Sequence, residues 1–233
     1  MAAVEETSPA AAAGWMPADP APLGLAAFAL TTFMLSGNNA GFIPNVFWVG
    51  LALFYGGAAQ LFAGMWEFRN RNVFGATAFS TYGGFWLALG ITVILLQITK
   101  LGTTLTGPND ASNGLAWFLI AFAIFNTYML FWSTRINLAV FGVFLTLEIT
   151  EILLAIGFLV AAHRSVAPVA ADVGWIKAGG WAGIVTAAVA WYASAAGVVN
   201  GMSPTRVVPV GGPMWGRPSS TARVGSPMPR TGS

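Results

Sequence analysis

Two carboxylates stand three residues apart inside an otherwise uncharged apolar run. They are Glu148 and Glu151, within Leu138–Ala162. A carboxylate held at mid-bilayer costs about 2.5–3.5 kcal/mol on insertion scales, so its presence needs a reason. Two reasons are open. The pair can take up and release a proton, or it can serve as polar anchors hydrogen-bonded within a helix bundle. Glu151 lies one turn from Leu147, with Leu154 on the same helical face, and Glu148 points about 100° away. Other chemistry is poorly provided for. The chain has 1 histidine and 0 cysteines, which excludes disulfides, thiol nucleophiles and thiolate metal sites. His163 stands beside Arg164 at the end of its apolar run, so neither a Ser-His pair at depth nor a multi-His metal site can form. Asp19, Asp110 and Asp172 all fall at segment ends or in loops, away from where an intramembrane aspartyl enzyme needs them. The expectation is no catalytic residue, no metal and no cofactor.

The elements that hold these side chains follow from composition. The 233 residues are 56% hydrophobic and 8% charged, against about 25% charged in an ordinary soluble domain. Too little polar surface exists to cover a globule, so lipid must cover most of it. The net charge of +2 makes no case for a nucleic-acid partner. Six apolar segments are predicted as transmembrane helices over Pro20–Ser36, Val46–Phe68, Val73–Ile98, Leu115–Trp132, Leu138–Ala162 and Trp175–Val199. Backbone groups in hydrocarbon must bond one another, which forces helices. The fold class is an all-α integral membrane protein, a six-helix transmembrane bundle.

Residues 1–18 are expected to form a disordered tail, 19–200 the six-helix transmembrane domain, and 201–233 a flexible cytoplasmic tail rich in Gly, Pro, Ser and Arg. No cleavable signal peptide is visible, so the first span is expected to act as its own insertion signal. With both termini cytoplasmic, Arg69, Arg71, Arg135, Arg206, Arg217, Arg223 and Arg230 lie inside, against Lys100, Arg164 and Lys177 outside. Trp48, Trp66, Trp117, Trp132 and Trp175 open or close spans as an interfacial aromatic belt would.

Within the second segment, Gly57, Gln60, Gly64 and Glu67 share one helical face, where small residues admit a close neighbour and Gln60 supplies a buried polar group. Glu67, near Arg69 and Arg71, is expected in an interfacial ion pair. Gly179, Gly183 and Ala187 make a second packing face in the sixth segment. The first segment opens on Asp19-Pro20-Ala21-Pro22-Leu23-Gly24-Leu25. Asp19 can cap free N–H groups, and proline is tolerated in a first turn.

That heptapeptide resembles the Asn-Pro-Ala-Pro-Leu-Gly-Leu signature of the acetate uptake transporter family. The Phe54-Tyr55-Gly56-Gly57 stretch with Gln60, Ala63-Gly64 and Glu67 is similar to the family's second helix. Phe74-Gly75-Ala76-Thr77-Ala78-Phe79-Ser80-Thr81-Tyr82-Gly83-Gly84-Phe85-Trp86 is similar to its third, and Leu153-Leu154-Ala155-Ile156-Gly157 to its fifth. The likeness runs from about Asp19 to Gly211. It implies a six-helix protomer assembled as a homohexamer in the cell membrane, that of the bacterial inner membrane, with a substrate path through each protomer. The implied cargo is acetate and other small monocarboxylates, sometimes succinate; a small neutral solute or ammonium is the alternative. The family places a hydrophobic constriction at the positions of Phe28, Tyr82 and Leu147.

On that footing Glu151 is expected to face the path and Glu148 a neighbouring helix, with Thr31 and Gln60 as further polar groups. Two features depart from the family pattern. One is the Glu148–Glu151 pair. The other is Asp19 in place of asparagine: an ionised aspartate cannot donate to a carboxylate substrate, so Asp19 is expected to act as a cap.

Overall fold

The computed structural model describes residues 17–44, 47–98, 109–164 and 174–215. Six helices carry most of them: α1 Ala21–Ala40, α2 Phe47–Arg69, α3 Val73–Ile98, α4 Asp110–Ser133, α5 Leu138–His163 and α6 Gly174–Met202. All six have the length and composition to cross a membrane, as the apolar runs predict. Helix ends overshoot those runs. α1 continues past Ser36 to Ala40, and α4 starts at Asp110 rather than Leu115. Apolarity marks the thickness of hydrocarbon, whereas a helix goes on while its backbone bonds are satisfied. α1 stops where Gly41 takes a left-handed φ of 94° and its N–H reaches back to the Gly37 and Asn38 carbonyls, a glycine-dependent stop.

The helices form a ring in the order α1, α6, α5, α4, α3, α2, with α2 returning to α1. Close approach is bought by glycine at specific points. A Cβ on Gly180 of α6 would lie 2.5 Å from the Ala40 backbone nitrogen of α1. One on Gly83 of α3 would lie 2.7 Å from the Leu61 nitrogen of α2. α3 and α4 meet instead through rings, Phe85 against Phe118 and Phe122 at 5.1 and 4.8 Å. α2 widens into a π-helix over Phe54–Ala59, the Phe-Tyr-Gly-Gly stretch, where Gly56 packs against Thr31.

Three expectations change. Trp48 is 4% exposed and turned inward, not part of an outer belt, whereas Trp66, Trp117, Trp132 and Trp175 are exposed. Glu67, near the end of α2, is completely buried rather than surface-exposed, and Asn70 Nδ2 donates to its Oε2 at 3.4 Å. Gly75 of α3 makes room for it, since a Cβ there would come within 2.7 Å of Glu67 Oε1. The C-terminal segment does not leave the bundle at Gly201. Asn200 accepts from the Val207 and Val208 N–H groups, the Ala139 N–H donates to Val210, and Trp215 Nε1 donates to Thr134 Oγ1. The chain therefore lies back across the α4–α5 turn through Trp215; the rest of the expected tail, and residues 1–16, lie outside the described residues.

Candidate functional site

Inside the ring are two cavities, of about 600 and 340 Å³. The larger is lined by the later halves of α1 and α3, the first turns of α4, and α5. The smaller is lined by the first halves of α1, α3 and α5, with α6 and the returning C-terminal segment. Among the described residues, only Phe28, Tyr82 and Leu147 line both. All three are buried, at 4%, 4% and 7% exposure. Phe28 and Tyr82 meet edge to face with ring centroids 5.9 Å apart. Tyr82 is further held by Phe85, Phe122, Phe125 and Phe144. The residues common to the two cavities thus come from α1, α3 and α5.

Behind the rings lies a polar network. The Tyr82 hydroxyl is 2.9 Å from Asn126 Oδ1 on α4 and 3.4 Å from Glu151 Oε1 on α5. Asn126 Nδ2 donates to the Phe144 carbonyl at 2.9 Å and to Glu148 Oε2 at 2.6 Å. Thr127 Oγ1 lies 2.8 Å from Glu148 Oε1. Glu148 therefore turns to α4, while Glu151 lines the larger cavity at 3% exposure, its Oε2 without a partner. Asn126 is completely buried and sequence reasoning passed over it. Its signal was a lone asparagine in the middle of a long apolar helix, a costly position that implies a partner.

The smaller cavity is ringed by helix starts. Asp19 Oδ1 accepts from the Ala21 N–H, Asn72 Oδ1 from Gly75 and Asn137 Oδ1 from Val140, at 2.9, 3.1 and 2.9 Å. These are Asx side chains holding the first turns of α1, α3 and α5. All three residues line this cavity, and Arg206 of the C-terminal segment joins them. The three helix N-termini and the Arg206 guanidinium favour an anion at this mouth, and the Asp19 carboxylate opposes one. Gln60 also lines it, buried, with its Oε1 unpartnered.

The remaining residues of the heptapeptide serve packing and shape. Ala21, Pro22 and Leu25 line the smaller cavity, Pro20 is buried, Leu23 faces outward, and Gly24 lies against the Phe79 ring. Thr31 lines neither cavity. Its hydroxyl bonds the Ala27 carbonyl and it packs on Gly56, while Thr32 lines the larger cavity. Relative to Phe28, position 31 is turned about 60° one way and position 32 about 40° the other, which favours Thr32. Among the described residues no group of three His, Cys, Asp or Glu side chains is placed to hold a metal ion.

Six membrane-length helices lining cavities that share Phe28, Tyr82 and Leu147 define a multi-span membrane protein. The chain belongs to the GPR1/FUN34/yaaH family, whose model matches residues 7–211. It is 42% identical over 216 residues to "Acetate permease A" of Emericella nidulans, covering 88% of this chain and 70% of that one. It is 36% identical over 195 residues to "Succinate-acetate/proton symporter SatP" of Escherichia coli K12, covering 83% of this chain and 95% of that one. It is 39% identical over 187 residues to "Ammonia transport outward protein 2" of Saccharomyces cerevisiae, covering 78% of this chain and 62% of that one. A solved structure of the bacterial acetate channel SatP superposes with a TM-score of 0.71 at 33% identity, over 84% of this chain and 99% of that one. The resemblance drawn from the motifs is borne out.

Proposed function

We propose that this chain moves acetate and other small monocarboxylates, with succinate in its range, across a membrane along the path that narrows at Phe28, Tyr82 and Leu147. The observation that carries this reading is that, among the described residues, the two cavities share those three and no others. The names of the relatives support the cargo. The smaller cavity gathers anions through its helix starts and Arg206, with Asp19 as cap and Gln60 as a polar contact. At the neck, an acetate ion must shed water, which neutral acetic acid does at far lower cost. Glu151, facing the larger cavity beside the neck, is the group placed to bring a proton there.

In this reading both termini are cytoplasmic, in keeping with the Lys and Arg distribution. Exposed apolar residues such as Phe47 and Phe54, at 75% and 77%, face lipid or neighbouring copies of a hexamer. The membrane is the plasma membrane, that of a bacterial cell. Labelled acetate uptake into proteoliposomes, with and without an inside-alkaline gradient and corrected for protein-free leak, is the test. Saturable uptake above leak supports the reading. Its absence, with ammonia or urea flux present, favours the second reading, a small neutral solute, which the name of the yeast relative and the apolar neck also suit.

A further inference from the structure

We propose that Asn126 is a positioning residue: it fixes which way the Tyr82 hydroxyl proton points, so that Glu151 can bond to Tyr82 only as the protonated acid. The proposal rests on the transport reading above for its consequence, though not for its geometry.

The argument is one of donor and acceptor count. Asn126 Nδ2 lies between two acceptors, the Phe144 carbonyl and Glu148 Oε2. That sets the amide orientation, because the reverse one would put Oδ1 against both. Oδ1 then faces Tyr82 as an acceptor at 2.9 Å, and the hydroxyl, which has one hydrogen, donates to it. What the Tyr82 oxygen turns toward Glu151 Oε1, 3.4 Å away, is lone pairs. A protonated Glu151 can donate to them, and an ionised Glu151 meets them unpaired. The side chain that shapes the neck and the side chain that carries the proton are thereby tied through one amide on α4.

The other titratable groups near Glu151 are few. α3 brings Tyr82, α5 brings Glu148, and α4 brings Asp110, which lines the same cavity, and Tyr128, both exposed. α1 has no titratable residue, and the Lys177 and Tyr192 side chains of α6 are exposed. None of these supplies a cation to hold an ionised Glu151 in place.

The test is Asn126→Leu, read in two ways. Infrared difference spectroscopy of the purified protein reports the carbonyl stretch of a protonated carboxylic acid, assigned by its loss in Glu151→Gln. Freeing Tyr82 lets it donate to the carboxylate, so the band titrates away at lower pH in Asn126→Leu than in the wild type. Acetate uptake falls off at correspondingly lower pH. In a Tyr82→Phe background the Asn126 substitution moves neither. Asn126→Ser, which keeps a donor for the Phe144 carbonyl but is too short to reach Tyr82, serves if the leucine variant does not fold. A lower overall rate with an unmoved band and pH profile would overturn the proposal. Lack of acetate uptake in the wild type would strike the transport reading alone, and the infrared titration would still decide the role of Asn126.

Discussion

Phe28 of α1 and Tyr82 of α3 meet edge to face, ring planes at 61°, and each belongs to the lining of both cavities. Two rings from different helices thus border both open spaces. Phe28→Leu shortens one ring while leaving the helix packing in place, at a stability cost of about 1 kcal/mol. The expected result is faster acetate uptake and weaker discrimination against bulkier monocarboxylates, measured by competition in proteoliposomes.

At the smaller cavity, Asp19 and Arg206 act in opposite senses on an approaching carboxylate. Asp19→Asn keeps the cap, because aspartate and asparagine cap equally well, and removes a negative charge from the mouth. It is expected to lower the half-saturating acetate concentration with an unchanged melting temperature. Arg206→Gln is expected to raise that concentration about two- to fivefold, the effect of ~0.5–1 kcal/mol from an exposed charge, and to flatten its salt dependence. Uptake titrations at two ionic strengths measure both.

If Glu151 serves as an acid, transport that needs its proton fades as pH rises. Glutamine can donate at the same place and never ionises. Glu151→Gln uptake, measured at fixed acetate anion concentration, is therefore expected to stay level across the pH range in which wild-type uptake declines. Glu148→Gln should keep a decline with rising pH, since Glu151 remains the ionisable group that lines the larger cavity while Glu148 turns to Asn126 and Thr127.

The ring depends on backbone contact between α1 and α6. Gly180→Ala sets a methyl group 2.5 Å from the Ala40 nitrogen and 2.7 Å from the Ser36 carbonyl oxygen, neither of which can swing aside. A loss of about 1–3 kcal/mol is expected, seen as a lower melting temperature in detergent. Gly84→Ala, which has nothing within 4 Å in the protomer, is the matched control and should match or exceed the wild type, given alanine's higher helix propensity.

Much of this was legible in the residues. Helix number followed from apolar run length, and Phe28, Tyr82 and Leu147, singled out by the family resemblance, line both cavities. What escaped was set by tertiary geometry. Trp48 sits at a segment end like its belt counterparts, and only the ring arrangement turns it inward. Thr31 and Thr32 are adjacent threonines, distinguished by which side of Phe28 they fall on. Glu67 has arginines nearby in sequence, yet the space left by Gly75 of the next helix decides its burial. The C-terminal segment reads as Gly/Pro-rich tail, and its docking depends on Asn200, seven and eight residues back, and on Ala139 and Thr134 of other elements. The capping asparagines Asn72 and Asn137 were readable, each standing one residue before a helix.

The central claim is that acetate passes between Phe28, Tyr82 and Leu147. A chain with 0 cysteines permits a direct test. Leu147→Cys, labelled with a small thiol reagent, is expected to lose acetate uptake, while the wild type treated alike loses none. Undiminished uptake by fully labelled Leu147→Cys protein would contradict the account.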